Sequence, residues 1–528
     1  MIKILSSIVA LFSITSIMAG EVHTPPKLVV GITIDQLRGD YLEMFQHTFG
    51  DRGFKRLMSE GLVYSDTKFN FPNIDRASAI STIYTGSNPS YHGIVGENKY
   101  NLAKNQEVSS FLDEYYKGVF TSDQYSPLAV RVSTITDELK IASNGLSEVF
   151  AFAPNASQAL VSGGHAANAA YWVDDMSGYW ASTSFYKSER SVVDIYNKTP
   201  ESLFRRANSI SWKPSIDVSN YNAFPYTKNI YNFQHFFGAD KKNAIRLVKQ
   251  SPYVNNEVRV IAEKVIEENT LGTRQNPDFL ALTFYAGPYE KSLDKNYSIE
   301  VQDTYNRLDK EIESLLDAID KAVGLQNAFI FVVSTGYYNE QEIFDDNYIS
   351  AGGDFYPERS MSLLNMYLMA LYGREQWISK YYNQQIFFNR KLIEDKKIDF
   401  IEFQQKAAEF LVQSAGIQDV VTSHQMLHGA YNQNVEFYRN GYYKGITGDL
   451  YLELQPGWRL KYEDDKLENH YRVRDNAIPC PVIFFGHGIK AQKINRIVDA
   501  TEIAPSVSHR LRIRAPNAAK ASILKELF

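Results

Sequence analysis

The stretch that decides the fold is Asn70-Phe-Pro-Asn-Ile-Asp-Arg-Ala-Ser-Ala-Ile-Ser-Thr-Ile-Tyr-Thr-Gly86. It lies between Leu28-Val-Val-Gly-Ile-Thr-Ile-Asp35 and Asn88-Pro-Ser-Tyr-His-Gly-Ile94. The first neighbour has the pattern of a buried strand that ends in a carboxylate. Because ligands of open α/β sheets bind in the crevice at the carboxyl ends of the strands, Asp35 is a candidate site residue. The alternative is that Asp35 caps the following helix.

Short β-branched runs alternate with helical patterns along the chain, which indicates an α/β fold. Residues 298–323 have the spacing of a long crossover helix, and residues 400–414 that of another helix. Residues 184–250 and 352–466, approximately, break the alternation, and we interpret them as insertions that cap one edge of the sheet. The predicted buried parallel strands cover residues 28–34, 148–152, 279–284, 328–334 and 481–485.

The composition is that of a globular protein and excludes some partners. The chain has 528 residues, of which 44% are hydrophobic and 22% charged, so we expect a large domain with a substantial core. The net charge is −6, with 55 basic and 61 acidic residues interspersed, and no basic stripe for nucleic acid is formed. Cys480 is the single cysteine, which excludes an intramolecular disulfide.

The first 20 residues, Met1 to Gly20, read as a secretory signal peptide. A lysine is followed by a mostly apolar run and then by small residues. A membrane anchor is the alternative, but this run is shorter than a span and is interrupted by serines. We therefore expect an exported, periplasmic protein whose mature chain does not span a membrane, with one domain at residues 27–528.

Further motifs stand at Gly164-His-Ala-Ala-Asn-Ala-Ala-Tyr-Trp172, at Gly448-Asp-Leu-Tyr-Leu-Glu-Leu-Gln-Pro-Gly-Trp458 and at Ile503-Ala-Pro505. With the segments above, they give a chain that resembles the alkaline phosphatase superfamily. The resemblance is to phosphate-irrepressible (PafA-type) alkaline phosphatases and to their type I phosphodiesterase and nucleotide pyrophosphatase relatives. It runs from about Lys27 to the carboxyl terminus. It implies a central, mostly parallel sheet sandwiched by helices, with cap insertions.

In that family, Asp and His side chains hold two zinc ions, and a Thr or Ser hydroxyl attacks phosphorus. Aligned without gaps, Asp35 matches a ligand, whereas Arg76 stands at the place of the nucleophile. Glu97 replaces an asparagine that holds a phosphate oxygen, and Asn155 and Ser157 replace a lysine and an arginine. The other ligand positions carry residues unsuited to a two-zinc site: Pro288, Ser292, Thr335, Gly336 and Pro479, with Cys480 beside the last.

These replacements favour a pseudoenzyme with no intact catalytic residue and no bound metal, which acts by binding. The expected partner is a periplasmic or outer-membrane protein, or else a glycan or small ligand in the old cleft. The alternative is an active metal-dependent phosphomonoesterase or phosphodiesterase with two zinc ions and relocated ligands. A third hypothesis is one weak Ca²⁺ or Mg²⁺ site that uses Asp35, Asp75 or Glu97, although it lacks enough oxygen ligands.

Loss of two zinc ions would leave the carboxylate of Asp35 without a counter-charge, which is costly in a buried cleft. We therefore predict that Arg76 pairs with Asp35 and holds a metal-free cleft together. The alternative is that Arg76 extends into solvent. His424 and His428 have the spacing of a metal pair, but two solvated histidines on a surface helix are the simpler interpretation.

Overall fold

The computed structural model describes residues 24–186, 192–222, 230–292, 298–339, 352–430, 432–462, 471–472 and 478–528. The predicted signal peptide lies outside these residues. In the part of the chain that is described, no helix is both long and apolar enough to cross a membrane.

The strands alternate with helices over most of the chain. In chain order the strands are β1 (Leu28–Asp35), β2 (Leu62–Tyr64), β3 (Thr67–Lys68), β4 (Asn98–Asn101), β5 (Gln106–Ser109), β6 (Gly118–Val119), β7 (Val149–Ala153), β8 (Ala169–Val173), β9 (Trp180–Thr183), β10 (Ser211–Trp212), β11 (His235–Phe236), β12 (Asp278–Tyr285), β13 (Ala328–Ser334), β14 (Asp354–Phe355), β15 (Ile378–Tyr382), β16 (Gln385–Phe388), β17 (Ile417–Thr422), β18 (Leu450–Leu454), β19 (Arg459–Leu460), β20 (Tyr471–Arg472), β21 (Val482–Gly486), β22 (Gln492–Ile494) and β23 (Val498–Asp499).

The helices are α1 (Gly39–Phe45), α2 (Phe54–Glu60), α3 (Arg76–Thr85), α4 (Pro89–His92), α5 (Ile135–Ala142), α6 (Ala156–Gly163), α7 (Val192–Tyr196), α8 (Leu203–Arg206), α9 (Ala244–Lys249), α10 (Tyr253–Glu268), α11 (Ile299–Val323), α12 (Pro357–Tyr372), α13 (Arg390–Asp395), α14 (Phe400–Leu411), α15 (Ser423–His428), α16 (Gln433–Gly441) and α17 (Ile503–Leu511). The predicted crossover helix is confirmed as α11. The helix predicted at residues 400–414 is α14, which ends at Leu411.

A ten-stranded sheet forms the centre, in the order β22-β2-β21-β13-β1-β12-β7-β8-β9-β6. The strands β13, β1, β12, β7 and β8 are parallel, which confirms the predicted α/β class with a mostly parallel sheet. One predicted direction was wrong, since β21 runs antiparallel to β13. The chain leaves β13 at the carboxyl edge of the sheet and enters β21 at the same edge. The direction of β21 is therefore opposite to that of β13.

Strand β1 is buried along its whole length because both faces of the sheet are covered. Leu28, Val30 and Ile32 pack into one hydrophobic cluster, while Val29 packs into the cluster on the opposite face. The alternation follows the two-residue period of a strand. Since β1 has the parallel strands β13 and β12 on its two sides, its last residue, Asp35, lies at the carboxyl edge of the parallel strands with a neighbour on each side.

Between β13 and β21, the described residues build a second, four-stranded sheet, β15-β16-β18-β17, with its own hydrophobic cluster. This sheet contacts the loop that leads into α3. The amide nitrogen of Asn73 donates to the carbonyl of Asn383, and the Tyr451 hydroxyl donates to the side-chain oxygen of Asn73. Hydrogen bonds from this second sheet and its β15–β16 turn thus fix the loop before Arg76.

Candidate functional site

The carboxylate of Asp35 lies at the end of β1 and is 1% exposed. Its Oδ1 accepts hydrogen bonds from Thr335 Oγ1 at 3.1 Å and from Tyr337 OH at 2.8 Å. Its Oδ2 accepts one from Gln158 Nε2 at 3.1 Å. Three neutral donors of the protein therefore occupy the two oxygens that would face a metal ion.

Arg76 is the first residue of α3, and its side chain reaches the same carboxylate. Its Nε lies 3.4 Å from Asp35 Oδ2 and 3.5 Å from Glu97 Oε2. The predicted ion pair with Asp35 is confirmed. The alternative of an arginine extended into solvent was wrong, since the side chain is only 24% exposed. A guanidinium thus provides the positive charge between two carboxylates.

Burial shapes the electrostatics of this cluster. Desolvation raises the pKa of Asp35 above its usual value, although Arg76 and the hydroxyls of Tyr337 and Thr335 oppose this rise. The pKa of Arg76 is raised well above its usual value, because Tyr337, Asp35 and Glu97 outweigh desolvation. Burial also raises the pKa of Tyr337, so its hydroxyl stays protonated and donates to Asp35.

Asp75 and Ser78, on either side of Arg76 in the sequence, cap the amino terminus of α3. Asp75 is the N-cap of α3 and forms a capping box with Ser78: its Oδ1 accepts from the backbone N–H of Ser78 at 2.9 Å. The other oxygen of Asp75 accepts from the backbone N–H of Glu97 at 2.6 Å. The carboxylate of Asp75 is therefore engaged in holding the loops around Arg76.

Glu97 is the most open member of the cluster, with a side chain that is 37% exposed. Its Oε1 accepts from the hydroxyl of Ser157 at 3.0 Å. The structure thus brings together two residues, Glu97 and Ser157, that the alignment places at phosphate-holding positions. They bond to each other and leave a carboxylate where a phosphate would need donors.

Asn155 caps α6, whose first turn also carries a residue that the sequence analysis missed. Gln158 is fully buried, and its Oε1 accepts from the backbone N–H of Asn155 at 3.3 Å and from its side-chain amide at 3.2 Å. Its own amide then donates to Asp35. The signal was present, because a glutamine three residues after an asparagine N-cap is a capping-box pattern whose side chain stays near the helix start.

Thr335, Gly336 and Tyr337 follow β13 directly. Besides its bond to Asp35, the Thr335 hydroxyl oxygen accepts from the backbone N–H of Gln36 at 2.9 Å. Gly336 has φ +77°, and a Cβ there would lie 2.4 Å from the ring of Phe69. Tyr337 is the second site residue that the sequence analysis missed. A side chain at Gly336 would meet both backbone strain and a collision.

After β12, the backbone N–H of Ala286 donates to the carbonyl of Asp35 at 2.9 Å, but neither Pro288 nor Ser292 bonds to the carboxylate of Asp35. The carbonyl of Pro288 accepts from the hydroxyl of Tyr285 at 2.7 Å. Ser292 accepts from the hydroxyl of Ser298 at 3.0 Å. Glu290, the carboxylate nearest to these positions in the sequence, pairs with Arg246. This loop therefore supplies structural contacts within itself and to neighbouring elements.

The residues before β21 are also engaged in structure. The carbonyl of Pro479 accepts from the backbone N–H of Gly39 at 2.8 Å. Cys480 is 1% exposed, and its thiol donates to the carbonyl of Ile478 at 3.0 Å. Burial raises the pKa of this thiol to about 12. Because the thiolate is the form that binds metal, Cys480 is a poor zinc ligand here.

A family model described as type I phosphodiesterase / nucleotide pyrophosphatase matches residues 29–477. The chain belongs to this family. Alkaline phosphatase PhoV of Synechococcus elongatus is 30% identical to this chain, and the match covers 95% of this chain and 93% of PhoV. A protein of Myroides odoratus named calcium-transporting ATPase is also 30% identical, over 95% of the chain and 94% of its own length.

The crystal structure of wild-type alkaline phosphatase PafA superposes with a TM-score of 0.83 at 25% identity, and the match covers 95% of the chain and 99% of PafA. This similarity confirms the predicted alkaline-phosphatase-like fold. Relatives that carry the name alkaline phosphatase are thus similar to this chain over nearly its whole length.

The family resemblance implies two zinc ions, and the donor set of this member does not fit them. Zinc takes thiolate, imidazole and carboxylate ligands, and a two-zinc site needs several such side chains around each ion. Within the described residues, no group of three or more His, Cys, Asp or Glu is arranged to hold a metal ion. His424 and His428 do lie side by side, with ring centroids 5.0 Å apart, but they remain a pair.

Proposed function

We propose that this family member is a pseudoenzyme: an exported protein that keeps the alkaline phosphatase fold, has no two-zinc site and acts by binding a protein or another ligand. The observation that carries the proposal is the state of Asp35. Its two carboxylate oxygens receive three protein hydrogen bonds, and the guanidinium of Arg76 lies 3.4 Å away. A metal ion would have to displace these groups.

The charges around this position argue against a phosphate ester as substrate. A phosphate group at Glu97 would face a carboxylate, and Ser157 already donates to that carboxylate. Arg76 is the cation at this position, but Asp35 and Glu97 share its charge. Like charges at short distance disfavour the binding of an anion. A phosphate ester should therefore bind poorly at this position, and hydrolysis requires that binding.

The nucleophile is also absent from its place. The hydroxyls nearest to Arg76 in the sequence belong to α3 and are engaged in the helix. Ser78 donates to Asp75, Ser81 donates to the carbonyl of Ala77 at 2.7 Å, and Thr82 donates to the carbonyl of Ser78 at 2.9 Å. A hydroxyl that donates to the backbone of its own helix is not placed to attack a bound ester.

The second candidate function is an active metal-dependent phosphomonoesterase or phosphodiesterase. The similarity to PhoV and PafA, which are named alkaline phosphatases, favours it. Such an enzyme would need ligands from positions other than those of the resembled family. It would also need Arg76 to move away from Asp35, which would leave a buried carboxylate without its counter-charge.

A hydrolysis assay separates these two functions. The mature chain, supplemented with zinc, would be assayed at alkaline pH with p-nitrophenyl phosphate and bis-p-nitrophenyl phosphate, with PafA as positive control. We expect no turnover above the background of the buffer, with or without chelator. Turnover that a chelator abolishes would establish the hydrolase instead.

Export and a binding partner belong to the same proposal. The apolar run within Met1 to Gly20 supports export, and cleavage is tested by sequencing the amino terminus of the protein recovered from its native cells. Crosslinking in the native cell envelope, followed by mass spectrometry, tests for a protein partner. Recovery of the uncrosslinked chain alone under every condition would contradict the protein-partner form of the proposal.

A further inference from the structure

His165, in the motif at residues 164–172, is hydrogen-bonded at both nitrogens of its ring. Its Nδ1 lies 2.8 Å from Oδ2 of Asp137, and its Nε2 lies 3.0 Å from the carbonyl oxygen of Val130. A carboxylate and a carbonyl oxygen only accept hydrogen bonds, so both ring nitrogens must donate. A neutral imidazole has a single N–H, whereas an imidazolium ion has two. The two contacts together therefore require the protonated ring.

Asp137 holds this ring from α5 and is itself buried. Its Oδ1 accepts from the backbone N–H groups of His165 at 2.7 Å and Ala166 at 2.9 Å. Its Oδ2 also accepts from the backbone N–H of Thr134 at 3.0 Å. Burial alone would raise the pKa of Asp137, but the hydrogen bond and charge of His165, with these backbone N–H groups, outweigh burial and lower the pKa. Asp137 is therefore a carboxylate, and the shared proton belongs to the histidine.

Few other charges face the ring. Burial alone would lower the pKa of His165, but the hydrogen bond and charge of Asp137, with the carbonyl of Val130, raise it above the ordinary 6.5. The helix α6 and the strand β8, which precede and follow this histidine in the chain, contain no Asp, Glu, Lys, Arg or His. Tyr186 donates to the carbonyl of Gly164 at 2.7 Å, and burial keeps its hydroxyl neutral by raising its pKa.

The remaining charged groups of the neighbouring elements are paired or exposed. Glu138 of α5 pairs with Arg514, and Lys140 of α5 donates to the side-chain oxygen of Asn168 at 3.0 Å. Arg131, which follows the turn before α5, is exposed. The carboxylate bonded to the imidazole is therefore the charge that governs whether the ring keeps its second proton.

The contact with Val130 is the one that depends on the second proton. A hydrogen bond to an ionised carboxylate is stronger than one to a neutral carbonyl, so a neutral His165 keeps its single proton on Nδ1. Nε2 then faces the carbonyl of Val130 with a lone pair, and this bond is lost. The backbone N–H of the next residue, Arg131, donates to the carbonyl of His92 at 3.0 Å. The segment that begins at His92 leads directly to Glu97 of the Arg76 cluster.

We propose that His165 is a pH-sensitive latch: its imidazolium ties the start of β8 to the turn before α5, and loss of a proton releases Val130 and increases the motion of residues 92–97. The latch is fully closed below pH 6.5, where the ring would be protonated even in the unfolded chain. It opens as the pH rises through the higher folded pKa of His165. The latch does not depend on what the cleft binds or hydrolyses, so this proposal and the proposed function fail independently.

The first measurement is a pH titration of the full mature chain, labelled with nitrogen-15 in its histidine rings, by nuclear magnetic resonance. The signals of His165 are assigned by their absence from His165→Gln. We expect both ring nitrogens of His165 to carry protons at pH 6.5, and the proton on Nε2 to be lost first above that pH. A ring that is neutral at pH 6.5, or one that keeps Nε2–H and loses Nδ1–H, would overturn the proposal.

The second measurement is amide hydrogen exchange of residues 92–97 across the same pH range, corrected for the intrinsic exchange rate. Protection in the unsubstituted chain should fall by about threefold to tenfold as the latch opens, since one hydrogen bond is lost. His92 does not cause this change, because burial lowers its pKa to about 3.

His165→Gln should show low protection of residues 92–97 at every pH, because a glutamine amide cannot donate in both directions. His509→Gln, which changes an exposed histidine, is the matched control and should keep the pH dependence of the unsubstituted chain. If His165→Gln fails to fold, the ring titration and the exchange of the unsubstituted chain decide. Protection that does not change with pH in the unsubstituted chain, or a pH dependence that survives in folded His165→Gln, would overturn the proposal.

Discussion

Nε of Arg76 lies 3.4 Å from Oδ2 of Asp35, so a guanidinium at the start of α3 neutralises a carboxylate at the end of β1. The two residues are brought together because α3 packs into the hydrophobic cluster on one face of the sheet and begins, at Arg76, beside the end of β1. Two hydroxyls and an amide complete the surroundings of the carboxylate.

Arg76→Ala should lower the free energy of unfolding by about 2 kcal/mol at pH 8, because it leaves Asp35 buried without its counter-charge; the cost is below that of a fully buried pair since Arg76 is partly exposed. Chemical denaturation measures this change. Lys391→Ala, which removes an exposed pair with Asp395, is the control and should change stability by less than about 0.5 kcal/mol. Equal effects of the two substitutions would contradict the ion-pair account.

The stability of the protein should depend on the protonation of Asp35. Its folded pKa lies above the ordinary 3.8, so the folded state binds the proton more tightly than the unfolded chain. This contribution is fully present below pH 3.8 and is lost as the pH rises through the folded pKa. We therefore expect the difference in stability between the unsubstituted chain and Asp35→Asn to fall with rising pH. Denaturation curves at several pH values would show it, and a difference that grows with pH would contradict it.

Tyr337→Phe should destabilise the protein by about 1.5–3 kcal/mol, because it removes a hydroxyl that donates to a charged, buried acceptor and leaves the ring in place. Thermal unfolding measures the loss. Tyr115→Phe is the matched control, since Tyr115 is 84% exposed and should lose nothing measurable. If Tyr337→Phe were as stable as Tyr115→Phe, the hydroxyl of Tyr337 would have no role in holding Asp35.

The thiol of Cys480 should be unreactive in the native protein. It is buried, and a pKa of about 12 keeps it protonated at pH 8. Ellman's reagent should label no thiol in the native chain and one after denaturation. Rapid labelling of the native protein would show that the segment before β21 opens, and that Cys480 could act as a ligand after all.

Arg76→Thr should not restore phosphatase activity, although it returns a hydroxyl to the place of the nucleophile. Pro288 and Thr335 offer no zinc ligand, and a histidine at Gly336 would collide with Phe69. We expect no hydrolysis of p-nitrophenyl phosphate above background and a stability loss similar to that of Arg76→Ala. Zinc-dependent turnover by this variant would contradict the account.

The sequence predicts the fold well because the buried strands are continuous β-branched and apolar runs, and because the long helix α11 has a strong helical periodicity. The pairing of Asp35 with Arg76 was also predictable, since a buried carboxylate requires a partner and the alignment offers one. The direction of β21 was not, because a buried run looks the same in a parallel and an antiparallel strand.

The partners Gln158 and Tyr337 were missed for a different reason. They lie 123 and 302 positions from Asp35 in the chain, and their hydrogen bonds arise only when β7 and β13 assemble into the same sheet as β1. Asp75, in contrast, was offered as a site carboxylate, whereas its spacing to Ser78 already carries a capping pattern. A carboxylate near the start of a helix can therefore indicate either an N-cap or a site residue, and the sequence pattern alone does not separate the two.

The most direct test of the central claim is the zinc content of the purified mature chain after dialysis against excess zinc and removal of unbound metal, measured by inductively coupled plasma mass spectrometry with PafA treated in parallel. The account predicts far less than one zinc per chain, because Arg76, Thr335, Tyr337 and Gln158 already hold Asp35. Two zinc ions per chain would contradict it.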